Sequence, residues 1–330
     1  MNIRLLFLFF CFPTWLHAQQ HAHKVVGMMG SRFEFTAVAQ TDSLAWAAIR
    51  AGIKEVQRIE ELISSWDPHS QTSEINRQAG LQPVKVVPEL YQLIRRSLKI
   101  SQLTEGAFDI SFASLDRVWK FDGSMESMPS DSLIAASVAK INHQDIILDA
   151  DESSVFLAKT GMRIGFGGIG KGYAANRARQ KMTAMGVQGG LVNAGGDLSC
   201  WGTPPKGESW TIGIASPQDK DHIIGWLAVD DLAVVTSGDY ERFVMIDDSR
   251  YAHIIDPKTG WPVRGLKSVT VSCPDAELAD ALATSVFVLG KEKGMALINQ
   301  LNGVECLMIT DHDEVLYSDN MRLTTEAAQK

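Results

Sequence analysis

Gly165-Phe166-Gly167-Gly168-Ile169-Gly170-Lys171-Gly172-Tyr173 places five glycines within eight residues, around one lysine. A backbone this bare either turns tightly or approaches something closely. A helix is expected to follow, from about Tyr173 to Met185 with Gly186 closing it, and its first amides would point back at the glycines. Phosphate groups commonly occupy such a position. Three readings share these letters. Gly165-x-Gly167-x-x-Gly170 spells a dinucleotide fingerprint, yet Gly190 stands about 20 residues on, where that motif keeps a ribose-binding acid, and Asp197 comes late. Gly165-x-x-x-x-Gly170-Lys171 spells the start of a P-loop, yet Gly172 stands where Ser or Thr would ligate magnesium. A tight strand-to-helix turn with no ligand satisfies the same letters.

On the N-terminal side, Val25 to Val38 reads as extended around Gly30. Ile49, Ile53, Val56, Ile59 and Ile63 recur at helical spacing between Asp42 and Ser64, with Asp42 as a candidate cap. Pro88 opens a second helix carrying Leu90, Leu93, Ile94 and Leu98, ended by Thr104-Glu105-Gly106. Residues 121–132 suit a loop, followed by a helix at about 131–140 and a strand at Ile146 to Leu148. On the C-terminal side, strands are expected at Leu191-Val192 and near residues 210–214, 225–229, 232–236, 243–246 and 268–272. A helix starts near Asp275, a second spans about Lys291 to Asn299, and a last strand pair surrounds Leu307 and Val315. Helices and strands alternate unevenly, which leaves α/β and α+β both open.

The chain has 330 residues, 45% hydrophobic, enough for a sizeable core. Its net charge of −8 makes it a poor nucleic-acid binder. Arg4, the apolar run Leu5 to Phe12, Pro13 and Ala18 read as a secretory signal cleaved after Ala18. Residues 1–18 are thus expected to be a signal peptide and 19–330 a single domain, exported to the periplasm and peripheral to the membrane at most. Cys11 lacks the preceding small residue of a lipidation site. Cys200, Cys273 and Cys306 show no metal spacing and allow either one disulfide or a fully reduced set.

Further constellations stand beyond the glycine run. Asn193-Ala194-Gly195-Gly196-Asp197 ends a strand in a turn whose Asn and Asp can bond the local backbone. His253-Ile254-Ile255-Asp256-Pro257-Lys258-Thr259-Gly260 is a strand end and turn, whose His253 suits a ring or a phosphate as well as a structural place. Asp280 and Thr284 are i and i+4 on one helix face among alanines, an oxygen pair suited to a hard cation; Thr284 bonding back to the Asp280 carbonyl is the plainer alternative. Thr236-Ser237-Gly238-Asp239-Tyr240-Glu241 and Gly106-Ala107-Phe108-Asp109 are turns that suit a heteroaromatic ring.

Taken in order, these segments, with Met29-Gly30-Ser31, Ser65-Trp66-Asp67, Ser73-Glu74 and Thr104-Glu105, resemble the ApbE family of flavin transferases over about residues 25–320. The resemblance implies an α+β fold of two subdomains with the active site in the groove between them. It implies a Mg²⁺-dependent transfer of FMN from FAD to a Thr or Ser of an acceptor flavoprotein, with AMP released. Acceptors in the family are subunits of membrane redox complexes of the Rnf or sodium-pumping quinone reductase type. Carried over by position, the metal ligands are Asp280, Thr284 and the Gly168 carbonyl. The FAD contacts are Met29, Trp66, Ala107, Phe108, Asp109, Lys171, Ile254 and the backbone of Ala283. Asp280 and His253 are the candidate catalytic groups. Two alternatives keep the same pocket: an FAD pyrophosphatase, and an FAD-binding or storage protein that needs no metal. Gly165 departs from the family, which places an acid there, as does Ile110, where a proline often follows Asp109.

Overall fold

The computed structural model describes residues 20–115, 118–121, 124–205, 209–219, 221–240 and 242–324. The expected signal segment, residues 1–18, lies outside them. The first elements are β1 (Gln20–Met28), β2 (Ser31–Ala39), α1 (Asp42–Ile63), α2 (Gln71–Arg77), β3 (Val84–Lys85) and α3 (Pro88–Leu103). Next come α4 (Asp131–Val138), β4 (Ile146–Asp149), β5 (Ser154–Leu157), α5 (Gly170–Ala184), β6 (Gly189–Ala194) and β7 (Asp197–Gly202). The chain continues through β8 (Trp210–Ala215), β9 (Ile223–Val229), β10 (Ala233–Gly238), β11 (Phe243–Ile246) and β12 (Ser249–Ala252). It ends with β13 (Leu266–Cys273), α6 (Ala276–Ile298), β14 (Glu305–Thr310) and β15 (Val315–Tyr317).

Eight strands form one sheet in the order β1-β2-β6-β7-β10-β13-β14-β15, every neighbouring pair antiparallel. The class is therefore α+β. A dinucleotide site of the fingerprint type is built on parallel strands with the glycines directly after one of them. Here the nearest preceding strand, β5, belongs to the separate sheet β3-β5-β4, and residues 158–169 follow it without a strand. The dinucleotide spelling thus fails on topology.

The sheet is apolar on both faces because its strands alternate. Ala233 and Val235 of β10, with Cys306 and Met308 of β14, join the core shared with the helices. Val234, Leu307 and Ile309 point the other way, into a second core with Ile212, Ile214, Leu227 and Val229 of the β8–β9 hairpin. Helices α1, α5 and α6 pack on the first face. The apolar row of α1 buries Ile49, Val56, Ile59 and Ile63, with Ile53 at its margin. Its cap is Thr41, whose Oγ1 accepts from the Leu44 amide at 3.2 Å, and not Asp42, which sits in the first turn. A third core gathers Leu115, Trp119 and Ile134 with Val244, Ile246 and Ile255 around the β11–β12 hairpin.

The two C-terminal helices expected separately are both present within α6: Gly290, at φ 75° and ψ 178°, is non-helical and divides it into two helices. Cys200, Cys273 and Cys306 are buried free thiols, so the reduced alternative is the one found. Burial pushes the Cys273 thiol up to about 11 and that of Cys200 up to about 12.

Candidate active site

The glycine run is the turn into α5. The Gly170 amide donates to the Phe166 carbonyl at 2.7 Å and the Tyr173 amide to that of Ile169 at 3.0 Å. The helix therefore begins at Gly170, three residues earlier than the sequence suggested, with Lys171 and Gly172 in its first turn. Helix α6 meets it there. Asp275 caps α6 through the Leu278 amide and also accepts from Asn176 Nδ2 at 2.8 Å, while Asn176 Oδ1 accepts from the Ala276 amide at 3.1 Å. This clamp brings the helices so close that a Cβ on Gly172 would fall 2.0 Å from the Ala276 carbonyl oxygen. No P-loop serine or threonine can stand at that position.

The clamp positions Asp280. Its carboxylate, 3% exposed, accepts from the Gly172 amide at 3.1 Å through Oδ2. One turn further along α6, Thr284 faces Gly168. A Cβ built on Gly168 would sit 3.2 Å from Thr284 Oγ1 and 3.6 Å from the Phe108 ring. Two segments more than a hundred residues apart in the chain thus bring a carboxylate, a hydroxyl and a glycine backbone together. These are hard oxygen donors of the kind Mg²⁺ takes, and the bare Gly168 leaves the space a metal-facing carbonyl needs.

Lys171 Nζ lies 2.6 Å from Asp197 Oδ2, and the Asp197 side chain is 2% exposed. The sequence read Asp197 as a turn residue bonding its local backbone; the carboxylate faces Lys171 instead, and Asn193 Oδ1 alone holds the turn through the Gly196 amide. Lys171, expected on FAD, has its ammonium on this internal partner, with 30% of the side chain still exposed. Burial first, then the Asp280 charge, push the Asp197 carboxyl well above the ordinary range against the pull of Lys171. Burial likewise raises Asp280, opposed by Lys171 and the Gly172 amide.

The expected flavin contacts divide into several groups. Trp66 is 72% exposed on a loop whose Ser64 Oγ accepts from the Trp66 and Asp67 amides, so a large flat surface is held out in the open. Met29 tops the β1–β2 turn in the left-handed region, φ 49°, with its amide donating to Glu60 Oε1 at 3.0 Å. Its methyl group lies beside the Gly170 turn. Ala107 and Phe108 are each 4% exposed, and the Phe108 amide is held by Thr104 Oγ1.

Asp109 is bonded within the protein. Oδ1 accepts from the Ser111 amide and hydroxyl, and Oδ2 from the His143 amide. Its carboxylate ties down the 104–111 loop. Ala283 is fully buried inside α6. Ile254 is buried in the main core, and its carbonyl accepts from the Val263 amide. His253 ends the β11–β12 hairpin, edge-on to Phe121, with Nδ1 3.2 Å from the Arg242 carbonyl. A carbonyl only accepts, so this contact is a hydrogen bond in the tautomer that carries its proton on Nδ1, in which Nε2 is the acceptor nitrogen.

Gly165 is explained by packing. Its amide donates to the Ile110 carbonyl at 2.9 Å, and a Cβ would press on that of Ala113 at 3.1 Å. An acid at this position would have to displace Ala113. Asn176, Glu60 and His143 were missed in the sequence because each acts on a partner distant in the chain, and no local pattern announces such a pairing.

The fold is shared with known proteins. The profile of the ApbE family matches residues 29–308, and the chain belongs to that family. A FAD:protein FMN transferase of Klebsiella pneumoniae (strain 342) is 35% identical over 270 residues, covering 81% of this chain and 84% of its own length. One of Treponema pallidum (strain Nichols) is 33% identical over 284 residues, 80% of this chain and 78% of its own. The crystal structure of the ApbE protein from Thermotoga maritima superposes with a TM-score of 0.84 at 31% identity, over 91% of this chain and 97% of that one. The apo flavinyl transferase ApbE of Pseudomonas stutzeri gives 0.81 at 26% identity, over 92% and 96%.

Proposed function

We propose that the protein is a Mg²⁺-dependent FAD:protein FMN transferase, which moves FMN onto a Thr or Ser hydroxyl of an acceptor flavoprotein and releases AMP. The observation that carries this is the meeting of Gly168 with Thr284, and of Gly172 with Asp280, on two clamped helices. Asp280, Thr284 and the Gly168 carbonyl would hold Mg²⁺, which when bound neutralises diphosphate charge and polarises the bond to be broken. Trp66 offers its indole face to a ring of FAD, beside Met29 and the 104–109 loop. His253, with Nε2 as acceptor, takes the proton of the attacking hydroxyl. The hydroxyl oxygen bonds to the FMN phosphorus, the bond from that phosphorus to the bridging oxygen of the diphosphate breaks, and AMP leaves carrying the bridging oxygen.

The acceptors proposed are flavin-carrying subunits of Rnf or sodium-pumping quinone reductase complexes. Arg4, the run Leu5 to Phe12 and Ala18 support export to the periplasm, where such subunits would be met. Among the described residues no helix is long and apolar enough to cross a membrane.

The test is mass spectrometry of such a subunit after incubation with the protein, FAD and Mg²⁺. A mass gain of one FMN on a Thr or Ser, with AMP in equal amount, is expected; AMP without the gain would leave a pyrophosphatase and overturn transfer. Asp280→Ala is expected to abolish both products.

A further inference from the structure

Cleavage after Ala18 would leave a chain that opens Gln19-Gln20-His21-Ala22-His23. Its α-amine would then stand two residues ahead of a histidine. That spacing is chemically specific. The amine, the next two amide nitrogens and the imidazole close fused chelate rings in one plane, the four-nitrogen square that suits Cu²⁺ and Ni²⁺. No second segment of chain has to be brought in. The fold must supply a histidine in the open and a chain start that can give up two amides.

Both are present. Gln20 and His21 are exposed, and Ala22, 3% exposed, is the first residue of the main core in chain order. The chain is thus anchored directly behind His21 and not at it. Among the described residues β1 is an edge strand with β2 as its neighbour, and Gln20–Ala39 and His21–Val38 are the terminal pairs of that ladder. Successive residues of an antiparallel strand turn their amides to opposite sides. One of the two amides therefore faces the open edge, and only the other must leave β2. Gln19 itself lies outside the described residues.

We infer that the mature N-terminus is a binding site for Cu²⁺ or Ni²⁺, with the Gln19 amine, the Gln20 and His21 amide nitrogens and His21 Nδ1 as ligands. The inference rests on the reading of residues 1–18 as a cleaved signal. Both amides give up their protons to the solvent on binding. The donors are all nitrogen, unlike the oxygen set around Asp280, so the two sites suit different ions. His23 follows on the same strand face, with Nδ1 3.1 Å from Thr36 Oγ1, and the square does not need it.

The test is Cu²⁺ titration of protein purified after export with its own leader, followed by visible absorption and electron paramagnetic resonance, with the N-terminus read by intact mass. One equivalent of Cu²⁺ is expected to give the violet band and the nitrogen hyperfine splitting of a four-nitrogen square. His21→Ala is expected to lose both signals. So is a variant with one glycine inserted ahead of Gln19, which keeps every side chain and moves the histidine out of register. His23→Ala is expected to keep both. Protein whose Gln19 has cyclised to pyroglutamate, marked by loss of ammonia in its mass, lacks the amine and is expected to show neither. A chain that begins at an uncyclised Gln19 and gives no such band overturns the proposal, as does a band that survives His21→Ala or the glycine insertion. An exported chain that begins at another residue, or is wholly cyclised, overturns it as well. Flavin transfer, and binding of Mn²⁺ as the paramagnetic stand-in for Mg²⁺ at Asp280, are expected to be unchanged in His21→Ala, so a failure here leaves the transferase reading standing.

Discussion

At the residue scale, Asp280 sets function against stability. Its folded-state carboxyl lies above the ordinary value of 3.8 because burial disfavours the charge. Between the unfolded value and the raised one, the native state of the metal-free protein therefore holds a proton that the unfolded chain has released. Stability is greatest below the unfolded value and declines as pH rises toward the raised one. Asp280→Asn keeps an acceptor for the Gly172 amide and removes the charge, so at neutral pH it is expected to stabilise the metal-free protein. A higher melting temperature in chelator, together with loss of the further rise given by Mg²⁺ in the wild type, checks both halves. Met29 makes the same bargain in its backbone, since a left-handed φ costs a side-chain-bearing residue. Met29→Gly is expected to raise the melting temperature while weakening FAD binding, as read by titration of flavin fluorescence. Asp280 and Thr284 were legible in the sequence as a pair on one helix face. The engagement of Asp197 with Lys171 was not, because an acid after two glycines reads equally well as a turn.

At the scale of elements, the contact of α5 with α6 makes the site, and Gly172 makes the contact. Gly172→Ala would place a Cβ 2.0 Å from the Ala276 carbonyl; parting the helices is expected to cost about 1–3 kcal/mol and to lower Mn²⁺ affinity. A stable variant with unaltered cation binding would show that the close approach is dispensable. Behind the site, Arg58 of α1 and Arg177 of α5 share Glu55 and Glu89, and Glu89 also accepts from the Tyr173 hydroxyl at 2.6 Å. The Arg58 hydrogen bonds hold both carboxyls below their ordinary 4.5. Here the native state binds fewer protons than the unfolded chain, so this stability is present above that value and lost as pH falls through the lowered ones. Glu55→Gln with Glu89→Gln is expected to flatten the acid limb of the melting curve. The longer helices were readable because α1 and α3 carry apolar residues at helical spacing. The short elements α2, β3, β5 and β12 were not, because too few residues contribute to any period.

At the scale of the whole molecule, the two faces of the main sheet serve separate ends. The helix-side core carries the site; the core under the β8–β9 hairpin carries none of its residues. Leu227→Ala, in that second core, is expected to cost about 2–4 kcal/mol yet leave cation affinity unchanged in the folded protein, measured below its melting temperature. The antiparallel order of the sheet decided between readings that the glycine letters alone left open, because strand direction is set by pairings among distant segments that no local spelling encodes. The Trp66 loop has a practical consequence. Among the described residues Trp66 is the one tryptophan counted with the exposed large apolar side chains, the others being buried or partly covered. Its emission is therefore selectively open to iodide, and a flavin stacked on it would both shield it from that quencher and drain its excited state by energy transfer, so the unlabelled protein carries its own optical gauge of donor occupancy.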